Sequence, residues 1–361
     1  KVQAKDIWKK FIHSAWAFGE PGCIFIDKVH RESTGYPYGH IEISSNPCAE
    51  QFLPAYASCR LLLINLLTYV KDKFLLSAKF DFENFYHDCK ILQRLGDDLV
   101  DIELECIDKI LSKIHSDPEP LPVKQIGIDL WENIKRVTIL DRRTGCGFTA
   151  LGDTAAALGF IYASKEHIAF TEKMQQTFAF AAYESSVDMA EELGAFKEYD
   201  KNKDIQSEFI QRLKDTNPKL YERMTKFGRR NMVLLTVAPT GSISCLTQTT
   251  SGLEPVFMLS YKRRKKGNPG DKNFRTDFID QSKDHWMEFN INHKGFQDYI
   301  NITGNTKVEG SPYHKSTANE INWLDRVKLQ SVIQKYTDNS LSSTVNLPNS
   351  ATEDLVSQIY L

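Results

Sequence analysis

Within five residues the chain places an amide, a thiol and a carboxylate: Asn46, Cys48 and Glu50. In an extended segment, positions i, i+2 and i+4 project to one face, so all three groups could meet one ligand. A carboxylate can take a hydroxyl proton while an amide holds the oxygen, which suits chemistry on a hydroxyl-bearing substrate. Pro47 disfavours helix at Asn46 and predicts a turn or loop tip. The plain alternative is a surface turn with a buried cysteine and a solvated glutamate. A second thiol, Cys59, precedes the apolar run Leu61-Leu62-Leu63-Ile64. Two thiols near one site could do redox work; the alternative is a core cysteine on a buried strand.

A second candidate lies downstream. Met232 to Val237 predicts a buried strand, and Pro239-Thr240-Gly241-Ser242-Ile243-Ser244 follows it. Thr240, Ser242 and Ser244 supply hydroxyl donors. Gly241 lets backbone approach a ligand closely, and the N–H groups of a helix start favour an anion. The lysine of a Walker A loop is missing, so nucleoside triphosphate hydrolysis is not indicated. A simple helix cap after a strand is the alternative.

The elements that must position these residues can be read from periodicity. Ile7, Trp8, Phe11, Ile12, Ala15 and Trp16 have helical spacing, stopped by Gly19 and Pro21-Gly22. Cys23 to Asp27 reads as a short buried strand. Helices are expected from about Phe82 to Leu95, Leu99 to Ile114, and from near Ile128. Arg142 to Gly147 reads as a glycine loop, with a small-residue helix through Ala155-Ala156-Ala157. The longest helical pattern runs from about His167 to Leu193. Lys262 to Arg275 reads as an exposed basic loop. Trp323 to Tyr336 reads as helix and Ser342 to Leu347 as strand, and Ser350 with Glu353 suggests a capping box opening a last helix. Strands and helices interspersed along the whole chain argue for an α/β architecture.

Composition narrows the function classes. The 361 residues carry 45 Lys+Arg against 47 Asp+Glu, a net charge of -2, which argues against coating nucleic acid by bulk charge. The basic run Lys262 to Lys266 is the best support for a nucleic-acid module and reads as a solvated loop. No apolar run reaches the roughly 18 residues that span a bilayer. The seven cysteines are odd in number and include no CxxC pair, so reduced, mostly buried thiols in a cytosolic protein are expected. Cys23 is expected to pack in the core. The chain opens at Lys1 and closes at Leu361 inside helical patterns, which suggests a piece of something longer.

Six blocks, in order, resemble one family. Asn46-Pro47-Cys48-Ala49-Glu50-Gln51 resembles the active-site finger loop of ribonucleotide reductase catalytic subunits. Ser58-Cys59 with Ile64-Asn65-Leu66 resembles the family's second cysteine segment. Arg142-Arg143-Thr144-Gly145 through Gly152 is similar to its glycine-rich stretch, and Pro239 to Ser244 to its substrate-phosphate loop. Thr250-Ser251-Gly252-Leu253-Glu254-Pro255 matches the segment after that loop. Asp338-Asn339-Ser340 through Pro348 resembles the late barrel of the adenosylcobalamin-dependent (class II) members. Two departures stand out. Arg60-Leu61-Leu62 follows Cys59 where the family has Asn-Leu-Gly, and Ala49 stands where a glycine is usual.

The resemblance implies an α/β fold: residues 1–361 as the C-terminal part of a ten-stranded barrel whose central finger loop carries the radical cysteine. Cys48 would be the thiyl radical, Glu50 the base on the 3′-hydroxyl and Asn46 a hydrogen-bond partner of the substrate hydroxyls. Cys59 would be one of two reducing thiols. Thr240, Gly241, Ser242 and Ile243 would bind the substrate phosphates. No metal ligand set is implied for this chain. The implied cofactor is adenosylcobalamin, with a dithiol reductant of thioredoxin or glutaredoxin type. Deoxynucleotide and ATP effectors would act through regions outside the chain. A homodimer, or an N-terminal half as partner, is expected in the cytoplasm, with neither nucleic acid nor membrane. The other readings are a class I subunit taking its radical from a metal-containing partner, and an inactive fragment of a split reductase.

Overall fold

The computed structural model describes residues 2–58, 60–268 and 273–361. From the amino end, α1 (Ala4–Phe18) and α2 (Ile26–Glu32) precede a short hairpin, β1 (Ser44–Ser45) and β2 (Phe52–Leu53). β3 (Leu61–Asn65) leads to the helical hairpin α3 (Phe82–Ser116) and α4 (Leu121–Asp141). β4 (Gly145–Thr149) runs into α5 (Leu151–Ala157) and the long α6 (Lys165–Leu193). After short helices across 201–227 comes α7 (Gly241–Thr247). β5 (Ser260–Lys266) and β6 (His285–Asn292) pair as an antiparallel arm. The helices α8 (Lys294–Thr303), α9 (Trp323–Gln334) and α10 (Glu353–Tyr360) follow.

The centre is an arc of parallel backbone. β3 pairs in parallel with β4, from Leu61 opposite Gly145 to Asn65 opposite Thr149. The 233–237 segment lies beyond β4: Cys146 N–H donates to Leu234 O at 2.8 Å and Thr236 N–H to Cys146 O at 3.0 Å. Residues 340–342 add a fourth member, with Ser342 N–H on Val237 O at 2.9 Å. β4 is buried throughout, as suits a parallel strand covered by helices, while β3 at the edge buries only Ile64; α3 and α6 supply cover through Phe85, Cys89, Phe178 and Ala182. A Cβ at Gly147 would stand 2.2 Å from Thr236 O, so glycine is what permits the close approach of the third segment. Asp338 closes the arc. Its buried carboxylate accepts from Leu234 N–H at 2.8 Å, Leu235 N–H at 2.7 Å and the Tyr183 hydroxyl at 2.6 Å. Burial pushes this carboxyl above the usual range, against the pull of those three donors. The expected barrel is thus seen as four parallel members; among the described residues they do not close into a cylinder.

Several local expectations change. Cys23 to Phe25 is not a strand, because Ile24 and Phe25 stay exposed and α2 begins at Ile26. The two helices expected before residue 115 are one, α3. Gly96 passes in its middle because a Cβ there would press to 3.2 Å on Thr144 Cγ2 and 3.3 Å on Cys146 Sγ; packing on β4 overrides propensity. Gly145 to Thr149 is strand rather than glycine loop. Of the Lys262–Arg275 stretch, residues through Lys266 are strand, fully exposed along their length. Residues 342–347 reach the sheet only at their start. The last helix is capped by Thr352, which accepts from Leu355 N–H, rather than by Ser350. Of the six described cysteines only Cys89 and Cys146 are buried; Cys23, Cys48, Cys106 and Cys245 are exposed. No helix among the described residues is long and apolar enough to cross a membrane.

One core group makes stability depend on pH. His167, in the first turn of α6, is fully buried, and its Nδ1 accepts from Ala163 N–H at 2.9 Å. Burial first, and the Arg326 charge second, lower its pKa from 6.5 to about 3. Below the unfolded value the unfolded chain binds a proton that the folded chain refuses. Stability therefore falls as pH drops from about 6.5 toward 3. His167→Gln should flatten that slope by up to about 1.4 kcal/mol per pH unit, read from urea unfolding between pH 7 and pH 4.

Candidate active site

The Asn46–Glu50 segment is the tip of the β1–β2 hairpin, not an extended strand. Asn46 N–H donates to Gln51 O at 2.9 Å, and Gln51 N–H returns to Asn46 Oδ1 at 3.0 Å. Ala49 N–H closes the turn on Asn46 O at 3.0 Å, and Ala49 itself is left-handed at φ 62. The i, i+2, i+4 alternation is therefore lost, and the three side chains share a turn rather than a strand face. Exposure then divides them. Cys48 is exposed, Asn46 half-buried and Glu50 only 2% exposed. This inverts the surface-turn alternative, which required a buried thiol and a solvated carboxylate. With one lone pair of its oxygen engaged by Gln51 N–H, Asn46 still offers its amide NH2 to other partners. Among the described residues Glu50 Oε2 has no hydrogen-bond partner.

The arc braces this hairpin at three points. Thr236 Oγ1 donates to Glu50 O, and Phe52 N–H donates to Asn339 Oδ1 at 2.8 Å. At the third point a Cβ on Gly145 would meet Gln51 Nε2 at 2.4 Å, so β4 leaves a gap that the Gln51 amide fills. Gln51 is buried, and among the described residues both its amide atoms lack a partner, a feature not visible from sequence. A cleft of about 400 Å³ flanks the hairpin, walled in part by Cys23, Ile24, Phe25, Ala49 and Phe52. Cys23 thus lines an opening instead of packing in the core.

Cys59 lies outside the described residues. Its neighbour Arg60 is buried and turned inward, with Nη1 on Arg143 O at 2.7 Å, Nη2 on Thr138 Oγ1 at 3.1 Å and Nε on Glu103. The departure from the family pattern therefore ties β3 to α3 and α4.

The second candidate also changes in detail. Thr240 and Ser244 are not free donors: Thr240 Oγ1 accepts from Gly252 N–H at 2.6 Å and meets Thr149 Oγ1 at 2.9 Å, while Ser244 Oγ pairs with Gly241 O and Ser251 Oγ. Gly241, Ser242 and Ile243 are exposed at the start of α7. Their N–H groups precede the first intrahelical acceptor and remain open to an anion. The loop follows the carboxyl end of the 233–237 segment, where ligands of parallel α/β sheets bind. Periodicity alone missed Thr149, Asp153 and Thr250, which hold this loop; the signal present was the glycine-rich stretch that ends at Gly152-Asp153. A cleft of about 710 Å³ opens beside the 249–251 turn, with His293 and Tyr261 among its walls.

Comparison with known proteins agrees with the arrangement. The family described as "Ribonucleotide reductase, barrel domain" matches residues 1–361. A vitamin B12-dependent ribonucleoside-diphosphate reductase of Thermoplasma acidophilum is 28% identical over 364 residues, covering 100% of this chain and 41% of that protein. The Mycobacterium tuberculosis protein of the same name is 27% identical over 374 residues, covering 100% of this chain and 45% of that protein. A vitamin B12-dependent ribonucleotide reductase of Streptomyces clavuligerus is 25% identical over 390 residues, covering 100% of this chain and 38% of that protein. The chain thus spans about two fifths of the length of these curated relatives. With the family matched from end to end and the hairpin set on a parallel arc, the chain belongs to the ribonucleotide reductase barrel-domain family.

Proposed function

We propose that this chain is the part of a ribonucleotide reductase barrel that carries the radical thiol, its base and the phosphate loop, reducing ribonucleotides to 2′-deoxyribonucleotides. The observation that carries the reading is the turn itself: an exposed Cys48 two residues from a buried Glu50 with an unpartnered oxygen. In this reading Cys48 removes the 3′-hydrogen of the ribose and returns it at the end. Glu50 takes the proton of the 3′-hydroxyl, a role for which an acceptor without an internal partner is suited. The Asn46 amide NH2 holds a substrate hydroxyl while the 2′-oxygen leaves as water. The α7 start binds the phosphates through the N–H groups of Gly241, Ser242 and Ile243 together with Thr240, which shapes the turn. Cys59 supplies reducing electrons with a second thiol, and a thioredoxin- or glutaredoxin-type dithiol restores them.

The names of the relatives point to adenosylcobalamin as the radical source. The flanking cleft of about 400 Å³ is in the size range of small-ligand pockets; its apolar walls Ile24, Phe25, Ala49 and Phe52 would receive the flat adenosyl end of that cofactor, and polar walls such as Lys28, Glu32 and Asn339 its hydroxyl groups. When bound, the cofactor would supply the radical equivalent, and Cys48 would be the residue that gives up its thiol hydrogen.

The test is deoxyribonucleotide formation from ribonucleotide, dithiol and adenosylcobalamin, by the chain alone and with an upstream half supplied. Turnover that requires adenosylcobalamin is expected. Activity only with a metal-containing partner subunit overturns the cofactor assignment, and turnover by the isolated chain overturns the inactive-fragment alternative.

A further inference from the structure

We propose that Asp153 is a positioning residue for the phosphate loop, acting through Thr250 and Thr149; this rests on the substrate reading above. The starting observation is strain. Thr240 is β-branched yet sits at φ 58, a left-handed conformation that such residues rarely take and that persists only when its surroundings impose it.

What imposes it is a buried ladder. Thr240 Oγ1 meets Thr149 Oγ1 at 2.9 Å and accepts from Gly252 N–H at 2.6 Å. Thr149 Oγ1 also reaches Thr250 O at 3.2 Å, and Ala150, itself left-handed at φ 72, donates its N–H to the same carbonyl at 3.1 Å. Thr250 and Asp153 then bond reciprocally. Thr250 N–H donates to Asp153 Oδ2 at 2.8 Å, and Asp153 N–H donates to Thr250 Oγ1 at 3.2 Å. Thr149, Asp153, Thr240 and Thr250 are all buried.

Asp153 is fixed in turn from the other side. His293 Nε2 donates to its Oδ1 at 2.7 Å and the Tyr313 hydroxyl donates at 3.1 Å. A Cβ at Gly295 would stand 2.5 Å from that oxygen, so the first turn of α8 carries a glycine where it passes the carboxylate. One acceptor thus joins α5, the 250 turn, the start of α8 and Tyr313. An acceptor-only group is what three converging donors require; an amide there would turn its NH2 onto one of them. The ladder holds Thr240 in its strained form before any ligand arrives, so binding does not have to order the loop.

The experiment measures dissociation constants of the chain for a ribonucleoside diphosphate and for the matching ribonucleoside, which lacks the phosphates. Asp153→Asn and Thr149→Val should each weaken the diphosphate by about tenfold, the size of one lost hydrogen bond, and leave the nucleoside unchanged. Thr149→Ser, which keeps the hydroxyl, should restore the wild-type ratio. If Asp153→Asn does not fold, the Thr149 pair carries the test. Equal weakening of both ligands, or none for the diphosphate, overturns the inference and leaves the substrate reading standing. A wild-type chain that binds both ligands alike overturns the phosphate-loop reading itself, and the inference with it.

Discussion

Under the proposed function, Cys48→Ser is expected to end deoxyribonucleotide formation and to leave ribonucleotide binding intact. The side chain is exposed at a hairpin tip and makes none of the contacts that hold the turn, which are main-chain bonds of Asn46, Ala49 and Gln51. A surface substitution away from such contacts costs within about 0.5 kcal/mol of stability. The proposed chemistry should be lost entirely, because a serine O–H bond is too strong to be opened by the radicals that open a thiol S–H. The measurement is product by chromatography beside ligand binding by calorimetry. Expected are turnover at background and a dissociation constant within twofold of wild type, about 0.4 kcal/mol. Residual turnover above background would remove Cys48 from the mechanism.

Glu50→Gln is the second large effect. A positioned general base contributes about 10²–10⁴-fold, and glutamine keeps the size and the accepting oxygen while losing the basicity. A fall of that order in kcat with KM unchanged is expected. The fold should tolerate the change. Thr236 bonds the main-chain carbonyl of Glu50, not its carboxylate, and an amide is less costly to bury than a charge. The unfolding midpoint in urea tests that expectation. A wild-type kcat would show that the proton goes elsewhere, and a raised KM alone would make Glu50 a binding group.

Much of this site was legible in order and type. The turn at Pro47, the run Leu61 to Ile64 and the helix from His167 follow from local rules of φ restriction and apolar periodicity, whereas the strand expected over Met232 to Val237 is reduced to isolated parallel bridges at Leu235 and Val237. Other features were misread because a partner distant in sequence decides them. Gly96 lies inside a continuous helix since Thr144 and Cys146 crowd its face. Arg60 is buried because Thr138 and Glu103 wait for it. The hydroxyls of Thr240 and Ser244 read locally as ligand donors, yet Thr149 Oγ1 meets the first, and Gly241 O and Ser251 Oγ meet the second.

The sequence by itself determined which groups are available: a thiol, a carboxylate and an amide within five residues, and a glycine loop after a strand. It also determined the family, since blocks in order survive without any coordinates. Only the tertiary structure decided which of those groups are free to react. Whether a side chain is exposed, unpartnered or spent depends on donors and acceptors brought in from far along the chain. Glu50 is buried because distant segments of the arc anchor its hairpin: Thr236, 186 positions on, donates to Glu50 O, and Asn339 accepts from Phe52 N–H. Thr240 is strained because Asp153 and Thr149 hold it so. No local pattern carries that information, because desolvation and hydrogen-bond satisfaction are properties of the packed chain.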